Sequence, residues 1–279
     1  MQVHGPVPET PAISILVSSA GRLDLLRHQI VCFSNDPDLS GASDGPQAEL
    51  IFAIDDADAA DVARIGSELY DLYGVPFRTL HLQAKLGRWA ALDAAADMAR
   101  GATLLLLRPD ILPKRPRWLT QMHEQYLSLA DCGALGCRLI FEDGSIDHAG
   151  LAFRPSADRP GLWEPEPAVA GLKANFDPRG APVPVPAVSG ACLMIERALF
   201  AELGGLSRDY VWDGFADLDL CLAAAAVRRR CYYAPRVELY ALERETLPPL
   251  GSVAALAAYN SRKFNEKWAP VLARLGAAA

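Results

Sequence analysis

The sequence predicts an α/β fold with a mostly parallel central sheet flanked by helices. Three observations carry this. Short, continuous apolar runs such as "AISILVSS" (12–19), "AELIFAIDD" and "ATLLLLRPD" have the character of strands buried on both faces. Segments with apolar residues at helical spacing separate them. Strand and helix alternate through the first 110 residues, the pattern of right-handed β-α-β units.

The elements follow in order. After the first strand, "RLDLLRHQIVCFSND" is a helix and "PDLSGASDGPQ" a polar loop. The second strand stops at Asp55 and Asp56, and "ADAADVARIGSELYDLYG" is a helix ended by Gly74. "PFRTLHLQ" is the third strand, and "GRWAALDAAADMARG" is an Ala-rich helix closed by Gly101. The fourth strand runs out at Arg108, Pro109 and Asp110. Further on, "GALGCRLIFEDGSIDHAGLAF" reads as two strands joined at Asp143–Gly144, and the Pro- and Gly-dense stretch 154–186 as an ordered, irregular loop. "VPAVSGACLMIERALFAELGG" is a strand and a helix closed by Gly204–Gly205. "FADLDLCLAAAAVRRR" is a helix with acids in its first turn, where the macrodipole favours them. "CYYAPRVELYALE" holds another strand, and "AALAAYNSRKFNEKW" is a terminal helix.

With 279 residues, 51% of them hydrophobic, the chain can bury a large core, and its 22% charged content argues against disorder. A net charge of −7 argues against a dedicated nucleic-acid binder. The six cysteines form no CxxC pair and no zinc spacing, so they read as reduced thiols. The first residues lack the apolar core of a signal peptide, and no run approaches the roughly 20 apolar residues of a membrane span. A cytoplasmic protein is expected, with peripheral membrane contact left open.

Ligands of parallel sheets bind beyond the carboxyl ends of the strands. Three successive strand ends carry polar groups there: Ser18 and Ser19 with Arg22, Asp55 with Asp56, and Arg108 with Asp110. Any one pair could simply mark where a strand leaves the core, but three at one edge point to a site.

The motifs "VPAVSGACLMIERALFAELGGLS", "FADLDLCL" and "YYAPRVELY", with "DGSIDHAG" and "YGVPFRTLHL", together resemble a family 2 glycosyltransferase of the GT-A fold, in its bacterial branch. The resemblance runs from residue 13 to about 268. It implies a Rossmann-like nucleotide-diphospho-sugar transferase fold in one domain over 1–279. That domain would have a nucleotide-binding half (12–110), an acceptor-side half (111–268) and tails at 1–11 and 269–279. It implies that Ser18, Arg22, Asp55 and Asp56 border the base and ribose, and that Gly87 lies in a loop close to the nucleotide. Asp110 would be the last acid of a DxD-like motif for Mn²⁺ or Mg²⁺. Asp217 would be the catalytic base, Asp219 would seat its helix, and Gly190 would keep strand and helix close. His148, Trp163, Trp212 and Asp213 are acceptor-side candidates, although a lone His is more often structural.

The implied activity is inverting transfer of a sugar from a nucleotide diphosphate to a hydroxyl of a bacterial surface glycan or glycoprotein. One carboxylate takes the proton, and positive charge steadies the leaving diphosphate. The sequence departs from the family where that positive charge would be held. Arg108 stands where the family has Asn or Asp, Ala241 where it places a metal-shell His, Ala216 before the base, and Lys85 near the Gly87 loop. Arginine cannot ligate a cation, but it can grip a phosphate with two hydrogen bonds, helped by Lys85, Arg88 and Arg22. Two readings therefore stand: an active transferase with Arg108 in the cation's place, and a degenerate GT-A module that binds a glycan, nucleotide or partner protein. A nucleotidyltransferase fits less well, because "SSAGR" is too short for a Gly-rich phosphate loop.

Overall fold

The computed structural model describes residues 1–41, 44–55, 57–212, 214–242 and 252–277. It opens with β1 (Gln2–His4), a strand in a segment expected to be a tail. The expected alternation follows: β2 (Ile13–Ala20), α1 (Leu23–Ser34), β3 (Ala48–Asp55), α2 (Ala59–Tyr73), β4 (Phe77–His81), α3 (Arg88–Asp97) and β5 (Thr103–Leu107). Then come β6 (Ile111–Pro113), α4 (Trp118–Ser128), β7 (Cys132–Ile140), β8 (Ile146–His148), β9 (Leu151–Pro155), β10 (Trp163–Pro167) and β11 (Val183–Val185). The chain continues through β12 (Cys192–Glu196), α5 (Arg197–Glu202), α6 (Ala216–Ala226), β13 (Arg230–Ala241) and α7 (Ser252–Ala277). α7 thus runs through the stretch expected as the second tail.

The large sheet has the order β1-β4-β3-β2-β5-β12-β7-β13-β11, with β6 on β13 and β8 on β7. From β4 to β5 every pair is parallel. The expectation of a mostly parallel sheet holds there and stops there. β12 enters antiparallel between β5 and β7, and only the β7–β13 pair of the second half is parallel. The stretch 154–186 is more regular than expected: it contains β10, which forms a hairpin with β9, and β11, which pairs with β13.

Strands buried on both faces explain the continuous apolar runs. In β2, Ile13, Ile15 and Val17 pack on one face with α1, α2 and α4 residues such as Ile30, Leu69 and Met122. Leu16 points to the other face, shared with Trp89, Leu220 and Phe264. Local signals set the ends of α2: the Asp58 carboxylate accepts the Ala60 N–H, and Gly74 closes the helix at φ 68°. Gly101 does not close α3, which ends at Met98. It serves close approach instead, because a Cβ there would lie 2.6 Å from the Ser14 nitrogen.

Candidate functional site

The carboxyl ends of β2, β3 and β5 and the start of α3 border one cleft of about 230 Å³. Ser18, Arg22, Asp55, Gly87, Arg88, Arg108 and Trp212 all line it. Asp55 is buried, and its Oδ2 accepts the N–H groups of Leu86 (3.1 Å) and Gly87 (3.4 Å). That contact fixes the loop leading into α3. Gly87 has φ 79°, and a Cβ there would lie 2.6 Å from the Trp212 carbonyl oxygen, which also accepts the Arg88 N–H. Only glycine fits a left-handed position so close to another backbone. Arg22 grips Asp24 with two hydrogen bonds at the cleft mouth.

A second cavity of about 520 Å³ adjoins this cleft, and Arg108 lines both. Asp217, at the start of α6, lies in its wall with Ser189, His148 and Asp147. Asp217 is held by backbone donors: Oδ2 accepts the Gly190 N–H at 2.7 Å and Oδ1 the Leu218 N–H at 2.9 Å. Phe215, which caps α6, has φ 63°, a costly conformation for a bulky residue. Asp219 is buried and accepts from Tyr210, Trp268 and Lys267, so it ties α6 to α7.

The turn 189–191 is the hub of the site. The Ser189 N–H donates to His148 Nε2, the Gly190 N–H to Asp217, and Arg88 Nη2 donates to the Gly190 carbonyl at 2.6 Å. The Arg108 N–H donates to the Ala191 carbonyl. A Cβ on Gly190 would lie 2.7 Å from the Trp89 ring and 2.9 Å from the Asp217 Cβ, so the glycine there is a packing requirement. His148 is buried, and burial holds its pKa down at about 3. As a neutral ring its Nε2 accepts the Gly150 and Ser189 N–H groups. It borders the cavity, and its Nε2 is engaged with the backbone, in keeping with the structural reading of a lone histidine.

Arg108 answers the question its place in the sequence raises. Its Nη2 donates to Asp110 Oδ2 at 2.7 Å and its Nε to Oδ1, so the guanidinium covers both oxygens of a fully buried carboxylate. Gln29 Nε2 fixes the turn from below, donating to the Arg108 and Ile111 carbonyls. A cation at Asp110 would have to displace a permanent positive charge from both oxygens. Ala241 offers no ligand, and among the described residues no three His, Cys, Asp or Glu side chains converge on a metal position. The residues present do not fit a cation at Asp110.

Other expectations need correction. Trp163 lies on β10, and its ring covers Gly276 of α7 while its N–H donates to Asn265. The hairpin packs on the terminal helix, which takes this side chain away from the site. Trp212 borders the cleft at β2 and β3 and does not line the cavity of Asp217, because its loop folds against Gly87. Lys85 is exposed and does not line either hollow. Asp56 and Asp213 lie outside the described residues. Sequence reasoning passed over Asp147 and Ser189. The available signal for both was their position beside residues already singled out, His148 and Gly190.

This arrangement defines a class: the chain has the GT-A fold, with two adjoining hollows at the carboxyl edge of the sheet. Solved glycosyltransferases share it. GalNAc-T7 with UDP, GalNAc and Mn²⁺ superposes at a TM-score of 0.67 with 15% identity, covering 94% of this chain and 50% of that one. A mannosyltransferase of Pyrobaculum calidifontis in complex with GDP-Man and Mn²⁺ gives 0.59 with 13% identity over 99% and 76% of the two chains. S. aureus TarS gives 0.55 with 10% identity over 82% and 60%. These bear out the resemblance to GT-A glycosyltransferases.

Among curated proteins, the chain is 27% identical over 247 residues to the uncharacterized protein y4gI of Sinorhizobium fredii, covering 84% of this chain and 25% of that protein. It is 26% identical over 235 residues to the O-antigen biosynthesis protein RfbC of Myxococcus xanthus, covering 82% and 17%. The chain thus spans a quarter or less of the length of these relatives. No family model matches it. Among the described residues, no helix is long and apolar enough to cross a membrane.

Proposed function

We propose that both halves form one catalytic unit that transfers a sugar from a nucleotide diphosphate to an acceptor hydroxyl, with inversion at the sugar carbon. The observation that carries this reading is the shared wall. Arg108 borders both the cleft of Ser18, Asp55 and Gly87 and the cavity of Asp217. A donor with its nucleoside in the first hollow and its sugar in the second would place its diphosphate beside Arg108.

The acceptor oxygen attacks the sugar carbon as its proton passes to the Asp217 carboxylate. The bond from that carbon to the phosphate oxygen breaks, and its electron pair leaves on the diphosphate. Arg108 supplies fixed positive charge to that leaving group without a cation, oriented by Asp110. The N-terminus of α3 adds a favourable dipole at the same cleft. The likeness to an O-antigen biosynthesis protein supports a bacterial surface glycan as acceptor. Six unpaired cysteines fit a cytoplasmic setting.

Calorimetric titration with UDP, GDP and dTDP, each with manganese and with EDTA, tests the reading. Binding of one nucleotide is expected to survive EDTA and to be lost in Arg108→Ala. Binding that requires manganese would overturn the role given to Arg108. One observation favours a second reading, a binding module without turnover: both Asp217 oxygens already cap backbone N–H groups. Under that reading Asp217→Asn leaves function intact.

A further inference from the structure

We propose that Trp212 is a donor-binding residue, the plane on which the nucleobase stacks, and that Asn260 of α7 is the positioning residue that holds it there. This rests on the transferase reading and gives the donor side of the same site a residue for the base.

Trp212 has φ 68°, a costly conformation for a bulky side chain. Such strain persists only where the surroundings fix it, and here both sides do. The buried Asn260 side chain grips the residue just before it. Its Oδ1 accepts the Val211 N–H at 2.9 Å, and its Nδ2 donates to the Val211 carbonyl at 2.9 Å. An amide used in this way stands in for a strand partner. On the other side, the Trp212 carbonyl accepts the Arg88 N–H at 3.2 Å, and the Trp212 backbone lies against Gly87. The chain turns sharply here. Trp212, Gly214 and Phe215 all have positive φ. Trp212 borders the cleft, and Gly214 and Phe215 border the cavity of Asp217.

The strain delivers an aromatic plane to the cleft. Trp89, Trp118 and Trp268 are at most 9% exposed, whereas Trp212 is 49% exposed. It shares the cleft wall with Arg22, Asp55 and Arg108. An indole left half in water beside such polar groups suits a flat partner with an apolar face and polar edges, the form of a nucleobase. Every base has such a face, so stacking gives affinity without choosing among bases. The diphosphate end of a donor carries charge and no ring. Arg108 and Trp212, on one cleft wall, therefore divide the ligand by chemistry. The acceptor sugar is not the partner of this ring, since Trp212 does not line the cavity of Asp217.

The test is calorimetric titration of the full chain with UDP, GDP, dTDP and inorganic pyrophosphate, read beside tryptophan fluorescence. Wild-type protein is expected to bind at least one nucleoside diphosphate, with quenching of the fluorescence. Trp212→Ala should weaken that nucleotide ~10-fold or more and pyrophosphate by less than ~3-fold, because only the base is lost from the contact. Trp212→Phe keeps a ring, so it should hold nucleotide affinity within ~3-fold and lose most of the quench. Asn260→Ala should copy Trp212→Ala, with the nucleotide weakened and pyrophosphate retained, a split that a general loss of fold does not give. An unchanged nucleotide affinity in Trp212→Ala, or equal losses for nucleotide and pyrophosphate, would overturn the stacking role. An unchanged nucleotide affinity in Asn260→Ala would overturn the positioning role. Wild-type protein that binds neither nucleotide nor pyrophosphate would overturn the transferase reading and the stacking role with it. The other failures leave wild-type nucleotide binding intact, so the two cases are told apart.

Discussion

The two halves of the sheet each bury a carboxylate, and they use it differently. In the parallel half, Glu49 on β3 is fully buried and accepts from Ser14 Oγ (2.6 Å), Arg78 (2.8 Å) and both the backbone and the guanidinium of Arg100. These partners join β2, β4 and the segment after α3 at the end of the strands opposite the cleft. In the second half, Asp177 accepts from Arg138 (2.8 Å), Tyr233 (2.8 Å) and Arg179 (2.6 Å), while Arg138 and Lys114 share Glu238. That network pins a proline-rich connection to strands β7 and β13. The first carboxylate closes a regular unit whose strands already pair with chain neighbours. The second replaces the regular pairing that its segment lacks. A buried charge is costly unless satisfied, so each half depends on its own network.

The largest expected effect separates the site from both networks. Asp217→Asn should lower transfer by roughly 10²–10⁴-fold, the usual contribution of a general base, with thermal stability near wild type. Steady-state rates and a melting curve together check this, and turnover close to wild type would remove Asp217 as base. Next come the two networks. Removing one partner of a buried ion pair costs about 3–5 kcal/mol. Glu49→Ala should show this as global unfolding at lower urea. Asp177→Ala should also expose amides of 168–186 to fast hydrogen exchange at urea concentrations where β2 and β3 stay protected. If exchange rises equally in both halves, the networks do not act separately.

Gly190→Ala comes third. The added methyl meets Trp89 and Asp217, and overpacking of this kind costs about 1–3 kcal/mol. Because it moves the proposed base, activity should fall by more than stability predicts, whereas Gly74→Ala, with open space around its Cβ position, should leave activity unchanged.

The smallest effect is pH-dependent. His148 titrates at about 3 in the fold against 6.5 unfolded, so the unfolded chain binds the extra proton between these values. Its stabilising contribution is full above 6.5 and is lost as pH falls toward 3. Asp177 is shifted down by its hydrogen bonds to Arg179, Tyr233 and Arg138, which outweigh burial, so its own contribution is lost only below about 3.8. The fold should therefore lose stability through His148 as pH falls from 6.5 to 4, and His148→Asn should flatten the melting temperature across that window.

Much of the site was legible because it belongs to the parallel half. Ser18, Asp55, Gly87 and Arg108 end or follow consecutive strands, and a β-α-β unit puts every such end on one edge. Trp212, Trp163 and Asp147 were misread or passed over for one common reason. Each sits on a loop or short strand with neighbours from distant parts of the chain: Gly87 for Trp212, α7 for Trp163, and the turn at Ser189 for the strand around Asp147.

The sequence by itself determined the alternation of buried strands and amphipathic helices and the polar residues at the strand ends, Arg108 and Asp110 among them. These follow from local periodicity and residue chemistry. Only the tertiary structure decided that Arg108 covers both oxygens of Asp110, that His148 accepts from the backbone of Gly150 and Ser189, and that Asp147 and Asp217 line one cavity. β12 enters antiparallel between β5 and β7, strands made 85 residues earlier and 52 residues earlier in the chain, counting from Leu107 and Ile140 to Cys192. No local pattern encodes which strands a late segment will separate. That choice is made by long-range packing, where the apolar faces of both halves are buried together.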